Sequence, residues 1–358
     1  MAETIVVLRM LAVAGIVVLA LAVAGVIYQT IGSARSARQF PPPGQLVDVG
    51  GHRLHAVCLG HGTPTVVLES GIAASSLSWA RVQPEVARFT TVCAYDRAGL
   101  AWSDASTAPR TIARIVDELH ALLTKLELAA PHVMVGHSFG VFVCLAYTER
   151  YPHRVDGLVL VDPPSEWAQM DQRQRRLLWS AVQLSRLGGL LAHVGIVRAC
   201  LALLTGGVPA APRHFVRVFG PTTARTLERL VGEVRKLPAE IHPVVEALWC
   251  QPKCFRAMAD YLRGLRDAAV SAARSGPLDD LPLVVISSGD QAPDVAVSHQ
   301  ALAGMSSRGR QVIASNSHHW VQFDQPDLIV ETIREVVDAA HNRHISVRRS
   351  SSLRANQQ

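Results

Sequence analysis

Hydropathy divides the chain into unlike parts. From Met10 to Tyr28 nineteen residues run without a charge, MLAVAGIVVLALAVAGVIY. At ~1.5 Å per helical residue the run is about 28 Å long, close to the hydrocarbon thickness of a bilayer. No polar position recurs at helical spacing, so the run predicts a membrane span and not a soluble core helix. Ala22-Val23-Ala24 would pass as a signal-peptide cleavage site, but apolar residues continue through Val26 and Ile27, past the usual length of a signal core. The reading is an uncleaved single-pass anchor over residues 1–31, hence a cell-membrane location. Residues 32–44 then form a linker, the basic GSARSAR followed by the stiff spacer Pro41-Pro42-Pro43.

Beyond residue 45 the pattern shortens. Runs at 46–49 and 53–59, separated by Gly50-Gly51, predict a hairpin. Further apolar, β-branched runs lie at 65–69, 91–95, 132–136, 157–161, 283–287 and 311–314. Helical periodicity falls between them, at 77–87, 112–126, 139–150, 295–305 and 326–340. Fully apolar strands alternating with helices predict an α/β fold, a mostly parallel sheet covered on both faces. The alternation stops between residues 163 and 281, where helical periodicity, loops at Gly188-Gly189 and Gly206-Gly207, and no strand pattern predict a helical cap. The core is therefore 45–162 with 282–341. The tail 342–358 is polar and Ser/Arg-rich, a composition that predicts disorder.

Composition narrows the function classes. Lys and Arg exceed Asp and Glu by 35 to 29, but the arginines are scattered and aromatics are 5% of the chain. Nucleic-acid binding needs clustered cations with interleaved aromatics, so no nucleic acid is expected; a solvated surface and anionic lipid account for the excess. No GxxxxGK[ST] occurs and no GxGxxG follows a strand, which leaves nucleotide cofactors without support. Of the six cysteines, three lie within apolar runs, where free cysteine packs as a small hydrophobe. Cys250 and Cys254 form the one close pair, and without a second Cys/His pair no zinc site is predicted. Nothing here demands an oxidising compartment. Arg35 and Arg38 after the apolar run, against Arg9, Glu3 and the amino terminus before it, favour a cytoplasmic catalytic domain.

The chemistry sits at the strand ends. Gly136-His137-Ser138-Phe139-Gly140 leaves the run 132–136 and enters the helix 139–150. A serine hydroxyl is a poor nucleophile unless it is exposed, oriented and deprotonated by a neighbour. A G-x-S-x-G strand-to-helix turn exposes it on a bend too sharp for bulky flanking residues. About 0.1 chance matches are expected in a chain this long at ordinary glycine usage. Context therefore carries the assignment of Ser138 as nucleophile.

A general base must follow. Among fifteen histidines, His318 and His319 stand after the last strand and before the last helix, where the Ser-Asp/Glu-His chain order expects the base. His319 is preferred, because Trp320 next to it opens the run leading into that helix. The acid has two candidates: Asp162, ending the run 157–161, and Asp290, following 283–287. Both strand ends lie on the same sheet edge as Ser138, and the carboxylate's task is to hold the imidazole tautomer. Whichever is not the acid is a turn or capping residue. Two backbone N–H groups must face the tetrahedral oxygen; Phe139 and Ile72, the latter beyond Gly71, are the expected donors.

Several stretches together resemble the α/β-hydrolase superfamily, in particular bacterial membrane-anchored serine hydrolases. They are Val47-Asp-Val-Gly-Gly-His-Arg-Leu-His55, Val67-Leu-Glu-Ser-Gly71, Tyr95-Asp-Arg-Ala-Gly99, the pentapeptide itself, Leu158-Val-Leu-Val-Asp162 and His319-Trp-Val-Gln-Phe-Asp-Gln-Pro326. Two positions depart from the family pattern. Many relatives carry His-Gly where this chain has Ser70-Gly71. Many carry Gly-Asp-x-Asp where it has Gly289-Asp290-Gln291-Ala292, so Asp290 sits early for the usual acid and the resemblance favours Asp162. Dehalogenases and epoxide hydrolases of the fold use an aspartate nucleophile, and Ser138 argues against both. The resemblance implies cofactor-free cleavage of an ester or related acyl bond through an acyl-enzyme. Acyltransfer, amide hydrolysis and peroxidase-type chemistry use the same triad. A non-catalytic membrane-tethered binder would be expected to lack the nucleophile or the base. The Leu/Val/Trp content of the cap points to a small-molecule substrate with an apolar acyl or alcohol group, and the N-terminal helix to membrane lipid as partner.

Overall fold

The structure, a computed structural model, describes residues 2–72, 74–164, 170–205 and 233–355. Among the described residues eight strands form one sheet: β1 (Gln45–Asp48), β2 (Arg53–Leu59), β3 (Thr65–Glu69), β4 (Val92–Tyr95), β5 (His132–His137), β6 (Val155–Val161), β7 (Leu283–Ser288) and β8 (Gly309–Ala314). Their order is β1-β2-β4-β3-β5-β6-β7-β8. The β1–β2 hairpin and its junction with β4 are antiparallel, and every later pairing is parallel.

The uninterrupted apolar runs follow from burial on both faces. Val67, Met134, Leu158, Leu160 and Val285 point into one cluster with Ile115, Leu119 and Leu122 of α3 (Ile112–Lys125) and with α4 (Phe139–Arg150). Their neighbours Val66, Leu68, Val133, Val159 and Ile286 point into the other, against Trp79, Val82, Ile329 and Ile333. The period-two side-chain alternation of a strand feeds both layers. The sites of chemistry are left at the C-terminal strand ends.

Local chemistry moved several element boundaries. The helix expected over 77–87 divides into a 3₁₀ turn at Ser76–Trp79 and α2 (Gln83–Val86), because Pro84 has no N–H to carry a helix across the junction. Helix α1 is Ala2–Gln39, so the basic segment expected as a linker is helical and stops only before the prolines. Between β6 and β7 the described residues contribute α5 (Gln172–His193), α6 (Ile196–Thr205), α7 (His242–Trp249) and α8 (Pro252–Ala272), the segment expected as a cap. Gly188-Gly189, expected in a loop, lies inside α5. A Cβ on Gly188 would stand 2.5 Å from the Phe255 ring, so the glycine lets α8 approach closely. Gly206-Gly207 lies outside the described residues. After α9 (Pro293–Ala303) and α10 (Val321–Asp324), helix α11 runs Pro326–Ala355, into the tail expected to be disordered. Its docked first half supplies the nucleus, and no Gly or Pro interrupts propagation beyond it.

Cys58 and Cys93 face each other across β2 and β4 and form a disulfide, against their reading as free apolar residues. Strand order explains the difference: β2 pairs with β4, not β3, which brings residues 35 apart into register.

Candidate active site

Ser138 follows β5 and caps α4 with φ +52° and ψ −121°, a backbone state few non-glycine residues adopt. The two flanking glycines allow the bend. A Cβ on Gly136 would meet Cys144 Sγ at 2.8 Å, and one on Gly140 would meet the Glu69 carbonyl oxygen at 2.5 Å. The Ser138 amide donates to Val161 O at 2.9 Å, tying the turn to the neighbouring strand.

The Ser138 hydroxyl lies 3.0 Å from His319 Nε2, and His319 Nδ1 lies 2.6 Å from Asp162 Oδ2. An Nδ1–H donating to the carboxylate leaves Nε2 free to accept the serine proton. Asp162 follows β6 at φ +45° and is largely buried. Its Oδ1 accepts from the Ser288 amide at 2.9 Å and from the Gln291 side-chain amide. Burial pushes the carboxyl up, but the bond and charge of His319 and the Ser288 N–H outweigh it, and the net shift is downward. It stays ionised. Asp290 goes elsewhere: its carboxylate holds His318 Nδ1 at 2.7 Å, and both side chains are exposed.

The oxyanion candidates are grouped at the same bend. Phe139 is the first residue of α4, so its N–H has no intrahelical acceptor. Gly71 passes close beneath the elbow, where an added Cβ would stand 3.6 Å from Ser138 Cβ, and Ile72 follows it.

A family model described as the alpha/beta hydrolase fold matches residues 64–185. Solved structures align along most of the chain. An epoxide hydrolase, CorEH, has a TM-score of 0.58 at 18% identity, covering 82% of this chain and 97% of its own. An enol-lactonase from Burkholderia xenovorans LB400 has 0.59 at 16%, covering 82% and 100%. A thermophilic esterase from Thermogutta terrifontis has 0.53 at 20%, covering 83% and 97%. This chain has the α/β-hydrolase fold.

Curated relatives align over shorter stretches. The uncharacterized protein YqjL of Bacillus subtilis (strain 168) is 33% identical over 104 residues, 29% of this chain and 41% of its own length. The putative carbamate hydrolase RutD of Caulobacter sp. (strain K31) is 33% identical over 141 residues, 37% and 51% of the two. The chain thus spans about half or less of the length of these relatives.

Around the elbow of this hydrolase fold stand groups to which sequence reasoning gave no role. His137, the variable residue of the pentapeptide, is fully buried. Its Nε2–H donates to the His319 carbonyl at 2.8 Å, and its Nδ1 accepts from Gln322 Nε2 at 3.2 Å, so it pins the histidine loop as a neutral ring. Arg97 is buried beside Glu69, donating to that carboxylate and to the carbonyls of Ser70 and Gly71. Its guanidinium stacks 5.0 Å from the Phe139 ring centroid and 5.1 Å from that of Tyr261. The clamp fixes the carbonyl side of the 70–72 loop. The signal available was the charged pair Glu69 and Arg97, each at a strand end amid apolar residues. Arg97→Met should lower unfolding free energy by about 3–5 kcal/mol by leaving Glu69 buried alone, with Glu69→Gln/Arg97→Met recovering part of it in chemical denaturation. A double variant no better than the single would show that the unpaired charge is not the cause.

Two buried histidines set an acid limit on stability. Burial, with Arg154 adding to it, pushes His132 down to about 4; burial and the neighbouring His319 push His137 down to about 3. Unfolded, each titrates near 6.5. Between those values and 6.5 the unfolded chain binds protons that the folded chain does not, so stability is complete above 6.5 and falls on acidification. Each group contributes up to about 1.4 kcal/mol per pH unit. Neither ring nitrogen of His132 has a hydrogen-bond partner. His132→Leu should therefore flatten the slope of denaturation midpoint against pH between 6.5 and 4; an unchanged slope removes His132 as a source.

Proposed function

We propose that this protein is a membrane-anchored serine hydrolase that cleaves an ester or related acyl bond. One observation carries the reading: a serine hydroxyl on a positive-φ elbow, 3.0 Å from an imidazole whose far nitrogen is 2.6 Å from a buried, ionised carboxylate. In the proposed mechanism Ser138 Oγ attacks the acyl carbon as its proton passes to His319 Nε2. Asp162 stabilises the imidazolium, and the N–H groups of Phe139 and Ile72 receive the developing oxyanion. His319 then protonates the leaving alcohol or amine, and the acyl group remains on Ser138. Water, deprotonated by His319, attacks the acyl-enzyme and releases the acid. Relatives named as an esterase and a carbamate hydrolase are consistent with acyl chemistry.

The anchor reading rests on α1, whose apolar side chains from Met10 to Ile31 stand exposed along a charge-free stretch that water would not favour. The Cys58–Cys93 disulfide speaks against the cytoplasmic placement that Arg35 and Arg38 favour, because cytosolic thiols are kept reduced. The charge margin is two arginines against one. Labelling full-length protein in membranes with a fluorophosphonate probe tests the function directly. Stoichiometric modification, slowed by a competing long-chain ester, is expected; no modification of folded protein would end the serine-hydrolase reading.

A further inference from the structure

The anchor does not leave the bilayer as a free tether. A Cβ on Gly25 would stand 2.2 Å from the Val194 carbonyl oxygen, and one on Gly195 would stand 2.8 Å from the Gly25 carbonyl and from Tyr28 Cδ1. The corner between α5 and α6 therefore touches α1 inside its charge-free run. One turn further on, buried Gln29 donates to the Cys250 carbonyl at 3.0 Å and accepts from Arg198 Nε at 3.1 Å. Arg198 also donates to Ser36 at 3.2 Å. Gly25 lies ten residues before Arg35, the first charge after the run, or about 15 Å along a helix. The corner thus meets α1 within its apolar run, and the first charge beside it is Arg198, about one turn further along at the level of Gln29.

The outer surface at this corner is largely apolar, with the exposed Arg186 and His193 set among its leucines. Leu184, Leu187, Leu190 and Ile196 are exposed, Leu190 at 68%, and Trp179 and Leu203 extend the patch along α5 and α6. The two helices meet at a bend of 90°. The far end of α5 is different: its first turn bears the exposed Arg173, Arg175 and Arg176. Apolar bulk at one end, a tryptophan between and arginines at the other match an element lying in the membrane interface, where buried apolar area and attraction to anionic headgroups both contribute.

We propose that the α5–α6 corner of the cap is immersed in the bilayer beside the anchor, so that the substrate is a long-chain acyl ester dissolved in the membrane. The substrate class rests on the serine-hydrolase reading, and the immersion rests on α1 crossing the membrane. The bilayer is chosen as the occupant of this face because the face is continuous with α1 and meets it within the apolar run. A second copy of the chain would have to displace lipid already packed around that helix.

The test uses full-length protein in vesicles of phosphatidylcholine and phosphatidylglycerol. An NBD fluorophore is attached at Leu190→Cys, at Ile16→Cys in the anchor, or at Arg308→Cys before β8, at the sheet end opposite the site; labelled wild type is subtracted. Doxyl-phosphatidylcholine is expected to quench the Leu190 and Ile16 positions strongly and to leave Arg308 nearly unchanged. Quenching at Ile16 with Leu190 behaving like Arg308 overturns the immersion while leaving the anchor intact. Absence of quenching at both positions overturns the anchor too. Unquenched Leu190→Cys that forms an intermolecular disulfide would assign the face to a second copy. Leu187→Gln/Leu190→Gln should then slow turnover of a vesicle-borne palmitoyl ester about tenfold or more, on the scale of two lost side-chain transfers, with a short water-soluble acetate ester unaffected. Equal slowing of both esters, or of neither, overturns the substrate class. No turnover of either ester by wild type removes the hydrolase reading, whereas the quenching still decides the surface.

Discussion

Ser138→Ala is expected to abolish fluorophosphonate labelling and to lower ester turnover by about 10⁴-fold or more, the range found when a triad nucleophile is removed. In the proposed mechanism the loss is large because the hydroxyl is the atom that forms the acyl bond; His319 and the oxyanion donors would have nothing to act on without it. Stability should barely change. Alanine and serine share the same steric penalty at φ +52°, and the bond from the 138 amide to Val161 O is unaffected. Ser138→Gly makes a useful companion, because glycine adopts positive φ freely: it should be equally inactive but at least as stable. Alanine-variant protein that is still labelled at full stoichiometry would move the nucleophile elsewhere.

What could be read from the sequence differs residue by residue, and the differences have physical causes. The elbow is a local device: five consecutive residues create the bend, so Ser138 stood out as a candidate without tertiary information. His319 was legible through topology, because the last crossover of a parallel sheet returns its loop to the nucleophile's edge. The acid was harder. β6 and β7 are adjacent and parallel, and both end in a turn bearing an aspartate, so chain order admits either. What separates them is where each side chain points. Asp162 turns inward at φ +45° to meet His319, whereas Asp290 stays at the surface with His318.

Features that depend on non-consecutive neighbours were not legible. The Cys58–Cys93 pairing needs β2 beside β4, and hydropathy ordered the strands along the chain but not across the sheet. The glycine pair in α5 looked like a loop because the reason for it, the Phe255 ring, lies on another helix. Residues 32–39 looked like a linker because composition does not reveal a partner, and Arg198 is that partner. His137 was read as the variable position of a motif; its two hydrogen bonds go to a loop some 180 residues later. In each case a residue distant in sequence, which the local pattern does not contain, decided the outcome.

Asp162→Asn is expected to cost on the order of 10⁴ in turnover, as a tautomer fault does in other triads, and Asp290→Asn to leave turnover nearly unchanged. The argument is one of hydrogen-bond bookkeeping. Asp162 Oδ1 accepts from Ser288 N–H at 2.9 Å and from Gln291, so an asparagine must keep its single oxygen there. Its NH₂ then faces His319 Nδ1, which can only accept. The imidazole proton is forced to Nε2, 3.0 Å from Ser138 Oγ, and the base can no longer take the serine proton. Misfolding is a poor alternative explanation, since asparagine tolerates positive φ as well as aspartate does. Circular dichroism and an unchanged denaturation midpoint would exclude it. Because Asp162 is held ionised below the ordinary carboxylate range, its own titration should not form the acid limb of the pH–rate profile. That limb should keep its position in Asp290→Asn, because the Asp290 carboxylate bonds His318 and Ser288 and not His319. A larger loss in Asp290→Asn than in Asp162→Asn would exchange the two roles, and comparable small losses in both would mean that His319 acts without a carboxylate partner.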